Sequence, residues 1–133
     1  MDNFFATNNY WLNIDKPIGY SSAKIVAIVK RITQSRKVGH AGTLDPLATG
    51  VLPIAVNKAT KTSDLIMNND KEYVFAMSWG EFRDTDDMEG KIIKSSTKRP
   101  KTAEILKILP YFIGKIEQIP PKFSAIKING QKA

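Results

Sequence analysis

The sequence predicts an α+β fold: a mixed, mostly antiparallel sheet with helices packed on it. Three observations lead there. WLNID at 11–15 and KEYVFAMSWG at 71–80 alternate residue types as half-buried strands do. Between them lie stretches whose apolar residues recur at helical spacing, Ile25, Ile28, Val29 and Ile32 being the clearest set. Short runs rich in Pro, Gly, Ser and Asp separate the two kinds of pattern and supply turns. With 133 residues, 42% of them hydrophobic, the chain has room for one domain with a core.

Taken in order, WLNID is the first strand, and KPIGYSS supplies the turn after it. Ser21 or Ser22 can cap the helix that follows, whose core stripe is Ile25, Ile28, Val29 and Ile32, while Lys24, Lys30 and Arg31 lie off that stripe. SRKVGHAGTLDPLATG at 35–50 reads as an ordered loop, VLPIAV at 51–56 as a buried strand, and Lys58 to Met67 as a short helix. In the 71–80 strand, Tyr73, Phe75 and Met77 share one face. FRDTDDMEG is a polar turn into the short strand KIIKS. KTAEILKILPYF carries Ile105, Ile108, Leu109 and Phe112 at helical spacing, with Thr102 as a cap, Pro110 near the end and Gly114 as the stop. SAIKI at 124–128 is a strand pattern followed by Asn129-Gly130, the strongest two-residue hairpin signal, with three residues after it. A hairpin inside a larger domain and a frayed tail with a chance Asn-Gly are both open readings.

Composition excludes several function classes. There are no cysteines, so disulfides, thiolate zinc sites and cysteine nucleophiles drop out together. One histidine cannot build a His-rich metal site, and no metal or cofactor is expected. Residues 39–50 contain neither GxxxxGK[ST] nor GxGxxG, so no nucleotide-phosphate loop is indicated. The acidic run from Asp84 lacks the Gly and the final Glu of a calcium loop and reads as a solvated turn. No GxSxG elbow supports a Ser-His-Asp triad from Ser21, His40 and Asp45. Neither a signal peptide nor an apolar run approaching the roughly 20 residues of a membrane span is present, which predicts a cytoplasmic protein away from membranes. The net charge of +7 favours a polyanionic partner, nucleic acid first.

What remains is one carboxylate. From Lys16 through Ser63 the chain carries Lys16, Lys24, Lys30, Arg31, Arg36, Lys37, Lys58 and Lys61 against a single acid, Asp45, in GHAGTLDPLATG. Surrounding positive charge favours the ionised carboxylate, which suits a salt bridge or a nucleophile. Asp before Pro is also common in turns, where its side chain bonds nearby amides. The residues alone leave these readings open.

GHAGTLDPLATGVLPI at 39–54 resembles the signature of the TruB family of pseudouridine synthases, which isomerise a uridine in the T-loop of tRNA. Five further stretches are similar to the family in the same order. These are LNIDKPIGYSS at 12–22, KATKTSDLI at 58–66, KEY at 71–73, RDTDDMEGKI at 83–92 and GKIEQIPPKFSAIKINGQK at 114–132. The resemblance implies the pseudouridine synthase fold, with residues 1–133 as the N-terminal part of the catalytic domain and the C-terminal part and RNA-binding extension absent. It implies Asp45 as the catalytic aspartate and His40, Tyr73 and Lys16 as substrate-binding residues. His40 would fill the space that flipped nucleotides leave in the T-loop, and Tyr73 would stack on the target base. A core strand aromatic is the alternative for Tyr73. Lys24, Lys30, Arg31, Arg36 and Lys37 would meet the phosphates of the tRNA T-arm. Arg83 departs from the family, which usually has Thr there. A non-catalytic RNA-binding chain is the alternative function.

Overall fold

The computed structural model describes residues 4–118 together with 127–128 and 131–132. The chain divides into two compact units, Met1–Glu72 and Tyr73–Ala133.

The first unit holds a three-stranded antiparallel sheet with strand order β1-β3-β2, from β1 (Tyr10–Lys16), β2 (Val38–His40) and β3 (Gly50–Val56). A short helix α1 (Phe4–Thr7) precedes β1, and α2 (Ser22–Thr33) follows it. After β3 come a 3-10 segment (Asn57–Thr62) and α3 (Ser63–Met67), where the sequence predicted one short helix. The β1–β3 register runs from Tyr10 opposite Val56 to Lys16 opposite Gly50. Alternation puts Leu52, Ile54 and Val56 on one face, all with no exposed surface, where they pack with Ile25 and Val29 of α2. Tyr10, Leu12, Ile14, Val26, Val38 and Leu44 close around this cluster. Val51, on the other face, is 65% exposed.

Pro53 sits in the central strand, where a missing N–H normally costs a ladder bond. Its carbonyl accepts from Ala41 N–H at 2.9 Å, so its nitrogen faces the same side, just past the end of β2 at His40. The ladder loses nothing there.

Ser21 caps α2, its hydroxyl accepting from Lys24 N–H at 3.2 Å. The buried stripe differs from the predicted one. Ser22, Ile25, Val29 and Thr33 are buried, whereas Ile32 is 71% exposed. Thr33 belongs inside because its hydroxyl donates to Val29 C=O at 2.8 Å, which satisfies the one polar atom it brings. Lys24, Lys30 and Arg31 are exposed, as predicted.

The second unit contains the hairpin β4 (Glu81–Arg83) and β5 (Ile92–Ser95), then α4 (Thr102–Ile108) with a 3-10 turn (Leu109–Phe112). The cap of α4 is Lys101 instead of Thr102, and Glu104 reaches back to accept from Lys101 N–H at 2.7 Å. Gly114 ends the segment with φ of 86°. The predicted strand at 71–80 is not formed. Residues 71–78 have no ladder, and Val74 and Phe75 are 95% and 76% exposed. Alternation is necessary for a strand but not sufficient, because a partner must accept its N–H groups, and none pairs with this segment among the described residues. The apolar stripe of α4 likewise buries nothing: only Gly90 is buried among the described residues of this unit.

Residues 124–126 and Asn129-Gly130 lie outside the described residues. On either side of that pair, β6 (Lys127–Ile128) and β7 (Gln131–Lys132) are antiparallel, Ile128 opposite Gln131, so a returning strand follows the Asn-Gly signal. Every strand pair described is antiparallel, and the fold is α+β.

Candidate functional site

Asp45 stands on a turn, closed by Ala48 N–H donating to the Asp45 carbonyl at 3.0 Å, with Pro46 at the second turn position, where its fixed φ belongs. The main chain makes the turn without help from the side chain. The Asp45 residue is exposed, and among the described residues its carboxylate makes no ion pair and accepts no hydrogen bond. Among the described residues, therefore, this acid forms neither a salt bridge nor a side-chain bond to turn amides.

The backbone on each side of it is pinned. Leu44 packs its side chain against the core, and Ser22 Oγ bonds both of its main-chain groups, accepting from Leu44 N–H at 2.9 Å and donating to Leu44 C=O at 3.0 Å. On the other side, Pro46 C=O accepts from Gly19 N–H at 2.7 Å and lies 3.5 Å from Lys16 Nζ. The turn KPIGYSS and the loop TLDPL are thus tied at two points. Gly19 is suited to its place by a φ of 83°, which a side chain would oppose.

Lys16, expected to bind substrate, is fully buried. Its ammonium donates to Tyr20 C=O at 2.6 Å and Pro17 C=O at 3.1 Å, besides the longer contact with Pro46. No carboxylate meets it among the described residues, so carbonyl oxygens alone offset the cost of taking this charge out of water.

His40 lies at the end of β2 opposite Ile54, in a segment predicted as loop. Three residues with glycine in the middle are too short for an alternating pattern to register. Its Nδ1 is buried and among the described residues has no hydrogen-bond partner. Tyr73 is the first residue of the second unit and is 62% exposed, so the strand-core reading of it does not hold. Lys24, Lys30, Arg31, Arg36 and Lys37 are all exposed on the first unit.

In the second unit the acidic turn is tightly built. Arg83 pairs with Glu81 at 2.6 Å and donates to Gly90 C=O at 2.8 Å, so the residue that departs from the family is part of the turn's own bonding. Thr85 Oγ1 donates to Asp87 Oδ1 at 2.6 Å, and this bond is the largest cause holding the Asp87 carboxyl below its ordinary value; burial opposes it, and the Glu89 and Gly90 amides and the Arg83 charge add smaller lowering effects. A Cβ at Gly90 would overlap Thr85 Oγ1 and Asp84. A cleft of about 520 Å³ in this unit is lined by Phe75, Met77, Trp79, Phe82 and Arg83 and contains none of the predicted site residues.

Sequence reasoning missed the second role of the serine pair. Ser21 caps the helix, which leaves Ser22 to hold Leu44; two adjacent serines at a helix start were the available signal. Among the described residues no group of three or more His, Asp or Glu could hold a metal, and no helix is long and apolar enough to cross a membrane.

Comparison with known proteins matches residues 30–133 to the model of the TruB family pseudouridylate synthase N-terminal domain. The chain is 53% identical over 123 residues to a tRNA pseudouridine synthase B of Nitrobacter winogradskyi, covering 92% of this chain and 34% of that relative. Proteins of the same name from Ehrlichia ruminantium and Anaplasma phagocytophilum are 55% and 56% identical over 92% of this chain, which spans 42% and 41% of their lengths. It thus spans between about a third and two-fifths of these relatives. With the family model covering most of its length and half its residues shared with these enzymes, the chain belongs to the TruB family of pseudouridylate synthases, in the region of their N-terminal domain.

Proposed function

We propose that the protein carrying this chain is a tRNA pseudouridine synthase that isomerises the T-loop uridine with Asp45 as nucleophile. The observation that supports it most is the uncommitted carboxylate on a turn whose two flanks are fixed. Asp45 attacks the ribose or the uracil ring, the bond from N1 to the sugar breaks, the base rotates, and C5 joins the sugar. The C5 proton leaves to solvent, N1 takes up a proton in its place, and the carboxylate is released. Product and substrate contain the same atoms, so the reaction calls for no cofactor.

Such chemistry requires the uridine to leave its stack. Tyr73, exposed, offers its ring as a stacking platform, and His40 fills the space that the flipped nucleotides leave. Lys24, Lys30, Arg31, Arg36 and Lys37 give phosphate contacts, hence affinity and salt dependence. In this reading Lys16 acts from beneath, holding the loop that carries Asp45 without touching RNA. The site of action is the cytoplasm, where tRNA is modified.

The test uses the whole protein and an unmodified T-arm RNA labelled with tritium at uridine C5. Asp45→Asn should release no tritium while still binding the RNA; full turnover by that variant would overturn the proposal. A second reading is RNA binding without catalysis, which the exposed Lys24, Lys30, Arg31, Arg36 and Lys37 would serve equally well. It would show as RNA bound and no tritium released by the unsubstituted protein.

A further inference from the structure

We propose that Ser22 is a positioning residue for Asp45, acting through the peptide groups of Leu44. The inference rests on the reading of Asp45 as nucleophile. Three features of the structure lead to it.

Ser22 is 3% exposed, and its hydroxyl has no role in capping the helix, because Ser21 holds that position. Its single oxygen both accepts from and donates to one residue, Leu44, at 2.9 and 3.0 Å. Leu44 immediately precedes Asp45, so the bond to Leu44 C=O holds the peptide plane from which the aspartate departs, and the bond from Leu44 N–H holds the plane before it. An exposed carboxylate with no partner of its own gets its direction only from its backbone. Pro46 restricts that backbone from the other side, through the contact of its carbonyl with Gly19 N–H at 2.7 Å.

The serine is specific to the task. A hydroxyl is the smallest side-chain group that offers a donor and an acceptor from one atom. Alanine would leave Leu44 N–H and C=O without partners in a part-buried setting, and the loop would move to find water. Threonine keeps the hydroxyl. Moving a nucleophile by about 1 Å costs on the order of a hundredfold in rate, whereas RNA affinity, supplied by the basic surface, should not follow it.

The experiment compares Ser22→Ala, Ser22→Thr and Asp45→Asn in the whole protein, measuring kcat and KM on T-arm RNA together with amide hydrogen exchange of Leu44 and Ile54. Ser22→Ala should lower kcat by ten- to a hundredfold, on the order expected for a misplaced nucleophile, with KM within about twofold. Leu44 N–H should exchange faster in that variant while Ile54 N–H, in the sheet, stays as protected as before. Ser22→Thr should recover most of both losses.

Wild-type kcat in Ser22→Ala alongside an inactive Asp45→Asn would overturn the positioning role and leave the nucleophile standing. A loss of kcat with Leu44 still protected, or with Ile54 exposed as well, would also overturn it, since the effect would then not pass through Leu44 alone. Activity in Asp45→Asn would instead remove the reading on which the inference rests, and the exchange of Leu44 would still report the contact.

Discussion

Ile54 joins the core to the candidate site, and its truncation tests both the register of β3 and the size of the cluster that carries Asp45. It has no exposed surface, lies opposite Leu12 on β1 and His40 on β2, and packs with Ile25 and Val29 of α2. Ile54→Ala removes three carbons, worth about 2.5 kcal/mol of transfer energy at ~0.8 kcal/mol each. The residual cavity raises the total to about 3.5 kcal/mol, within the usual ~2–5 for such truncations. A unit the size of Met1–Glu72 has a total stability of about 4–11 kcal/mol at ~0.05–0.15 per residue. One side chain therefore carries a third or more of it. Val51 on the opposite face of the same strand is 65% exposed, and Val51→Ala should cost under about 0.5 kcal/mol. Urea denaturation of the 133-residue chain, followed by the fluorescence of Trp11 in β1 with Trp79 replaced by Phe, reads both. Ile54→Ala should lower the midpoint by about 2 M or more, or unfold the sheet outright, at a slope near 1–1.5 kcal/mol per molar. Equal costs at 51 and 54, or a cost below about 1 kcal/mol at 54, would refute the assigned faces.

Three further outcomes are expected. Tyr73→Phe should keep turnover while Tyr73→Ala loses the ~1–3 kcal/mol of a base stack, read as kcat/KM on T-arm RNA; equal activity of the two would remove Tyr73 from the base. Lys30→Ala and Arg31→Ala should each reduce the slope of log affinity against log salt by about one if each meets a phosphate, and an unchanged slope would make them an ordinary solvated face. Asp87 has a folded pKa below its unfolded value, so its contribution to the turn is present above the unfolded pKa and is lost as the pH falls through the folded one. Thr85→Val removes the largest cause, and a carboxyl NMR titration should then show Asp87 moving upward; no movement would mean that the Thr85 bond does not govern it.

Local patterns foretold β1, α2 and β3 because each is long enough for its period to register and carries its own stop signals. The three residues of β2 gave no such signal, so His40 was read on a loop. At Ile32, helical spacing named a core residue that is exposed, while Thr33, polar by type, took the inside position by bonding Val29. Spacing reports a stripe about a turn wide, and the edge of the stripe is settled by what packs against it. Tyr73 and its neighbours alternate as a strand should, yet remain without a ladder among the described residues.

The candidate site divides along the same line. The residues by themselves determined that one acid stands in a basic stretch, in a glycine-bounded loop whose order of motifs matches a family. They could not show what that acid does with its carboxylate, because salt bridge, turn and nucleophile use the same residue. Tertiary structure adds the surroundings: main-chain bonds close the turn, Ser22 and Gly19 fix its flanks, and among the described residues the side chain has no partner. Lys16, which the resemblance implies as a substrate-binding residue, lies buried among three carbonyl oxygens, a setting the sequence pattern does not show. Patterning is a property of neighbours along the chain, whereas the bonds from Ser22 to Leu44 and from Gly19 to Pro46 that fix this loop join segments more than twenty residues apart.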